Sequence, residues 1–246
     1  MDGACESICR YFTSALHKGV GSLRDAGYKP KKREWLQKAV IFYALEKCRN
    51  LLAHDNVPVW GRFSMGEMPK SEAKAKLRRL MDRTRGFHSL KSGQTKLSEY
   101  LVDFSFSDYK ITELIGSEPM PPGGKFQLLL AAESEMDEKE VKVLEDFIKL
   151  IDVKSAYKVL VSRARVGDEK TSLINALQGI LSRHSRYEPK LEPHWLFVGI
   201  PALSDWMDNW DHPTVLAHHV HILDPSAASP SLTPRDDLWV WEDIIG

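Results

Sequence analysis

The chain is poor in cysteine. Cys5, Cys9 and Cys48 are the only three, and no CxxC pair occurs. So sparse and odd a set excludes a disulfide framework and a zinc ribbon, and implies idle thiols in a reducing compartment. Net charge is missing too: 34 Lys and Arg residues balance 34 Asp and Glu residues. No field of one sign covers the molecule, so any nucleic-acid contact must come from a local patch. No apolar run approaches the ~18 residues that span a bilayer. The opening segment, MDGACESICRYF, lacks a charged region followed by an apolar run and does not read as a signal peptide. A cytoplasmic protein without a membrane partner is the expectation. The segment GVGSLRDAG lacks the GxxxxGK[ST] spacing of a phosphate loop, and no GxSxG or nucleophilic Cys–His arrangement stands out. Repeats and long low-complexity segments are absent as well.

What is present is ordinary globular material: 246 residues, 43% apolar and 28% charged. That suits one domain. Its parts read as a mainly helical region over 1–95, an α/β core over 96–205 and a C-terminal extension over 206–246. Residues 33–53 carry apolar side chains around most of a helix between Ala39 and Leu45, which implies burial on more than one side. Residues 70–85 predict a surface helix with few apolar positions, chiefly Leu77, Leu80 and Met81. Strands follow at 99–106 and 126–132, joined by a hairpin-type loop over 116–125. A helix over 137–151 puts Val141, Leu144, Phe147, Ile148 and Ile151 on one stripe. A strand at 157–162, a helix at 169–183 and a strand at 194–200 complete the alternation. Spacing of this kind requires crossovers and a partly parallel sheet. Extra strands are expected at 215–223 and 236–241, with a Pro- and Ser-rich loop between them.

Three acids stand out. Asp103 lies among Leu101, Val102 and Phe104, and Glu133 and Glu135 close the run LLLAA. A carboxylate in such company is costly unless it binds something. In a strand, Glu133 and Glu135 point to the same side, roughly 7 Å apart. If the two strands are neighbours, Asp103 lies beside Glu133. Such a cluster suits a hard divalent cation, Mg²⁺ or Mn²⁺, and phosphodiester hydrolysis is the reaction it serves best. The plainer reading of the segment SEMDEKE is a solvated turn whose acids favour the next helix's N-terminus.

The order of elements, with Asp103 in LVDFSF and Glu133-Ser134-Glu135 ending LLLAA, resembles the PD-(D/E)XK, or restriction-endonuclease-like, nuclease superfamily. The resemblance covers residues 98–163 well and 33–200 loosely. It implies a core of one helix, a three-stranded meander, a crossover helix and a further strand, in a mixed sheet flanked by helices. It gives Asp103 the role of the motif's Asp, and Glu133 that of the acid in the (D/E)xK pair. Position 135 departs from the pattern: Glu135 stands where members usually carry Lys. Other members take that lysine from the following helix, and the candidates here are Lys149 and Lys154. Lys149 falls opposite the expected apolar stripe, and Lys154 nearer to it if the helix persists so far. Members often add an acid from the preceding helix. Glu46 could be that acid, or a surface residue paired with Arg49 or Asn50. The implied function is metal-dependent cleavage of DNA in a restriction or phage-defence setting. A homodimer or partner subunit fits such a role. The alternative is a non-catalytic interaction or regulatory protein that keeps the core.

Other features read more plainly. The basic residues of 70–85, and the run Lys29, Lys31, Lys32 and Arg33, could contact phosphates or simply be solvated. His219 and His221 share a strand face, read as an ordinary polar face rather than a metal site. Trp206, Trp210, Trp239 and Trp241 read as core or interface packing rather than base stacking.

Overall fold

The computed structural model of the protein describes residues 3–29, 34–53, 57–64, 70–83, 95–97, 102–109, 119, 124–125, 127–184, 194–224 and 230–244. Its strands are β1 (Trp60–Phe63), β2 (Thr95–Leu97), β3 (Phe104–Ser107), β4 (Leu128–Glu135), β5 (Tyr157–Arg163), β6 (His194–Ile200), β7 (His219–Asp224) and β8 (Ser231–Pro234). They form one eight-stranded sheet in the order β2-β1-β3-β4-β5-β6-β7-β8. The sheet is mixed: β1, β3 and β4 pair antiparallel, β4, β5 and β6 pair parallel, and β7 and β8 return antiparallel. The helices are α1 (Gly3–Asp25), α2 (Glu34–Lys47), α3 (Arg49–Leu52), α4 (Lys70–Arg83), α5 (Glu140–Asp152), α6 (Gly167–His184) and α7 (Leu203–Asp208). Among the described residues, no helix is long and apolar enough to cross a membrane.

Two cores lie on opposite faces of the sheet. One holds α1 and α2 against Phe104, Phe106, Ala132, Val159, Val161 and Val198. The other holds α5 and α6 against Ala131, Leu160, Trp195 and Phe197. Every residue of α2 from Ala39 to Glu46 is buried, which bears out the expectation of burial on several sides. Phe42 stacks on Phe63 with ring centroids 4.9 Å apart and also faces Phe104 and Phe106. On α2's other side comes α1. A Cβ at Gly19 would meet the Tyr43 ring at 3.1 Å, so glycine lets the two helices approach closely.

The end of the chain closes onto α1. Thr13 Oγ1 accepts from the Val240 amide, and Ser14 Oγ accepts from the Ile244 amide and donates to the Glu242 carbonyl. Glu6 pairs with Arg235. Trp206 and Trp239 are buried in this region, as expected for packing. His17 stacks on Trp210 at 4.1 Å, and a Cβ at Gly21 would fall 2.6 Å from that indole.

Several expectations need correction. The N-terminal region is mainly helical, as expected, and also supplies β1 to the sheet. The strand expected over 99–106 begins at Phe104, after a bend at Val102 and Asp103; residues 98–101 lie outside the described ones. Residues 236–241 are not a strand. Asp236–Leu238 form a 3₁₀ turn, and the eighth strand comes from the Pro- and Ser-rich segment instead. An edge strand tolerates a terminal proline such as Pro234. Pro213–Val215 also form a 3₁₀ turn, so β7 starts only at His219. On α5 the inner stripe is Val143, Asp146, Phe147 and Leu150. Val141 and Ile148 are exposed. The apolar pattern favours the wrong stripe because an acid sits on the inner one. The run 30–33 and most of the 116–125 loop lie outside the described residues.

The strand face that His219 and His221 share lies in the interior. Both are buried, and burial depresses their imidazoles to about 3 and about 4. Gly199, opposite His219 in the β6–β7 register, makes the space: a Cβ there would lie 2.1 Å from Nε2. A Gly199→Ala variant should therefore lose about 1–3 kcal/mol in urea unfolding, the usual cost of overpacking. Gly3→Ala, with open space around it, should lose little; equal losses at both sites would contradict this packing.

Candidate active site

The β3–β4 register builds the site. Phe104 pairs with Ala132, so the next step places Asp103 opposite Glu133, as expected if the two strands were neighbours. Asp103 lies in the bend just before β3 and its carboxylate reaches α2. Its Oδ1 lies 3.0 Å from Lys38 Nζ on α2. Its Oδ2 accepts from the Ser134 amide at 3.2 Å and from Ser134 Oγ at 3.0 Å. Gln37 Nε2, beside Lys38 on α2, donates to Met136 Sδ, so the start of α2 is tied to the end of β4.

Glu133 is buried, with 3% of its surface exposed. Burial pushes its carboxyl up to about 9, and the charges of Asp103 and Asp146 add to the effect. Lys149 and the Asp103 backbone oppose it without prevailing. Asp146 and Lys149 reach the site from α5 and pair with each other. Burial alone would lower the Lys149 ammonium, but Asp146, Glu133 and Asp103 together hold it above its ordinary value. Lys38 behaves alike, raised by Asp103, Glu34 and Glu133 against the effect of burial. Two ion pairs, Lys38–Asp103 and Lys149–Asp146, thus flank a carboxyl that keeps its proton. The five groups then carry no net charge. Ionising Glu133 adds one negative charge in a site with little water, which an arriving cation can offset.

The other expected residues lie elsewhere. Glu135 is half-buried at the rim, where Oε1 accepts from the Asp137 amide at 2.8 Å and closes a turn. Lys154 is exposed beyond the end of α5, and it is not among the charges acting on Glu133. The helix stops at Asp152, so the continuation that would have carried Lys154 inward does not exist. Glu46 lies eight residues along α2 from Lys38, about 12 Å at 1.5 Å per residue. It pairs with Arg49 and packs on Gly61, with burial raising its carboxyl to about 7. The pairing with Arg49 is the plainer of the two roles read from the sequence.

Lys38, Ser134 and Asp146 do not stand out in the sequence as site residues. Asp146 carries a signal: an acid inside the spacing Val143, Phe147, Leu150. Ser134 enters the pattern only as the residue between two acids. Lys38 has none, because only the β3–β4 register shows which end of α2 meets Asp103.

Two carboxyls at neighbouring positions of the register, with no ion pair to Glu133 among the described residues, are oxygen donors suited to a hard cation. Among the described residues, however, no three His, Cys, Asp or Glu side chains group as a metal cage. Waters and substrate oxygens would have to complete any coordination. Comparison of the chain with family models, with curated proteins and with solved structures finds no match.

The raised Glu133 carboxyl has a consequence for stability. The folded protein holds this proton between the ordinary value of 4.5 and about 9, where the unfolded chain has lost it. Glu133 therefore makes stability fall as pH rises through that window, by at most about 1.4 kcal/mol per pH unit for one proton. Glu133→Gln should flatten the pH 6–9 dependence in urea unfolding relative to the unaltered protein. Identical slopes would mean that Glu133 ionises normally.

Proposed function

We propose that the protein is a metal-dependent endonuclease that hydrolyses DNA phosphodiester bonds. The observation that carries this reading is the buried Glu133 carboxyl, opposite Asp103 across the β3–β4 register at one end of a sheet. The connectivity α2, β1, β3, β4, α5, β5 supports it. One helix, an antiparallel three-stranded unit, a crossover helix and a strand parallel to the last are the elements expected of the restriction-endonuclease-like core. Asp103 and Glu133 are the residues that would hold Mg²⁺ or Mn²⁺. When bound, the cation would lower the pKa of a coordinated water and polarise the phosphodiester. Lys149 takes the place of the absent motif lysine: it orients the attacking water and meets charge developing on the phosphate. Lys38 holds the Asp103 carboxylate in one orientation. A cation must displace the Glu133 proton, so its binding should strengthen as pH rises.

A DNA path is available beside the site. Lys74, Arg78 and Arg79 are exposed on α4, and Lys76 lies 5.8 Å from the ring centroid of Trp35, on the first turn of α2. Leu77 and Leu80 anchor that helix in the core. These cations meet the requirement for phosphate contact, which positions a backbone without reading bases. Two such sites, one per strand of a duplex, call for a homodimer or a partner subunit.

One observation favours a second reading. Both Asp103 oxygens already have protein partners, as in a core that keeps the fold and has turned to non-catalytic interaction. Plasmid cleavage in Mg²⁺ or Mn²⁺ separates the two. Asp103→Ala and Glu133→Ala should each reduce cleavage by a hundredfold or more, Lys149→Ala by about 10²–10⁴-fold, and Lys154→Ala hardly at all. Cleavage unaffected at Asp103 and Glu133 would refute the assignment, and no cleavage by the unaltered protein would favour the second reading. On α4, combined alanines at Lys74, Arg78 and Arg79 should weaken duplex binding uniformly across sequences. The slope of log K against log salt should become shallower by about 0.9 for each phosphate no longer neutralised. An unchanged slope would place the DNA elsewhere.

A further inference from the structure

A cavity of about 420 Å³ opens one strand away from Glu135, at the carboxyl ends of β5 and β6. The register pairs Glu135 with Ser162, and Arg163 and Arg165 follow at the cavity wall. Neighbouring strands lie about 4.8 Å apart, so the cavity shares the sheet edge with the acids. In open α/β sheets that edge is where ligands collect, and the volume suits a small molecule.

The lining states what the ligand must carry. Arg163 pairs with Glu138, and Arg165 Nη2 donates to the Glu138 carbonyl at 2.8 Å. The Nε of Arg165 is buried and has no hydrogen-bond partner among the described residues. A buried donor left in this way calls for an acceptor. Glu169 and Asp205 also line the cavity, without a basic partner of their own among the ion pairs of the described residues. A bare anion would face these carboxylates, and a bare cation would leave Nε unmet. The ligand therefore brings both an anionic group and N–H donors, joined by a flat or apolar body for the Pro201 and Leu216 wall.

We propose that the cavity is a nucleotide subsite that takes one nucleoside monophosphate unit. The phosphate accepts from Arg165, and the amino edge of the base donates to Glu169 or Asp205, as cytosine N4 does to acidic side chains. The unit comes either from the strand held at Asp103 and Glu133 or from free nucleotide. This rests on the phosphodiester reading for its choice of ligand, but not for its geometry.

Calorimetric titration of the full chain with dCMP, dAMP, dGMP, dTMP and inorganic phosphate tests it. Saturable binding is expected, with dTMP weakest because thymine has no amino group. Arg165→Gln should weaken binding at least tenfold. So should Ala217→Trp, which fills the cavity from an exposed position and guards against misfolding of the first variant. Competition by a short single-stranded oligonucleotide would assign the unit to a strand; its failure alongside mononucleotide binding would assign it to free nucleotide. Inorganic phosphate binding as tightly as the nucleotides, or no binding by any of them, would overturn the subsite. Plasmid cleavage is read in parallel. Binding without cleavage removes the nuclease reading alone, and cleavage without binding removes the subsite alone.

Discussion

The pairing of β3 with β4 in one register is the constraint on which the molecule turns. It sets Phe104 against Ala132 and so brings Asp103 opposite Glu133. It also sends Phe104 and Phe106 toward Phe42, beneath the helix that carries Lys38. A slip of one residue would reverse both outcomes, because strand side chains alternate with period two. The site's charges and the core's aromatics are thus fixed by the same hydrogen-bond ladder. The core is the larger stake in energy, since burying a Phe stabilises by about 1.5–3 kcal/mol. Packing on the α2 side therefore enforces an acidic juxtaposition that the carboxyls themselves would oppose.

That opposition is resolved by arrangement rather than exposure. The site keeps each ionised acid beside an amine and leaves the remaining carboxyl its proton. Elsewhere the fold treats polar groups more cheaply. Lys158, also buried, donates to the Ile151 carbonyl at the end of α5 and lies 4.7 Å from the Trp195 ring centroid. There its charge meets a carbonyl at a helix C-terminus, where a cation is favoured. The contrast marks the Glu133 region as the place where the chain tolerates a costlier solution, and perturbed carboxyls of this kind concentrate at functional sites.

Much of this is readable from residues alone, where a pattern has one physical meaning. The all-round apolar run of α2 reads as a buried helix, and Asp103 inside LVDFSF and Glu133 after LLLAA stand out as acids in apolar company. Ambiguity begins where several patterns are admissible. On α5 the apolar residues support more than one stripe, and Asp146 disguises the true one, so the pattern puts Lys149 on the far side. Short elements are the other loss. WGRF and SLTP are too brief for periodicity to register, and each becomes a strand because a neighbouring edge accepts it. Glu46 and Lys38 show a third limit. A helix sequence states which residues share a face, but not which end of that face meets a given strand.

The joining of α1 to residues 235–244 bears on how the chain acquires its shape. Thr13 and Ser14 find partners in a segment more than 220 positions later. During synthesis α1 therefore waits, with those hydroxyls open to water, until residues 240–244 have followed it out of the ribosome. The helical layer on that face of the sheet is sealed only then. A product stalled before residue 235 would carry this surface of α1 uncovered, which gives quality-control proteases and chaperones a mark by which to distinguish it.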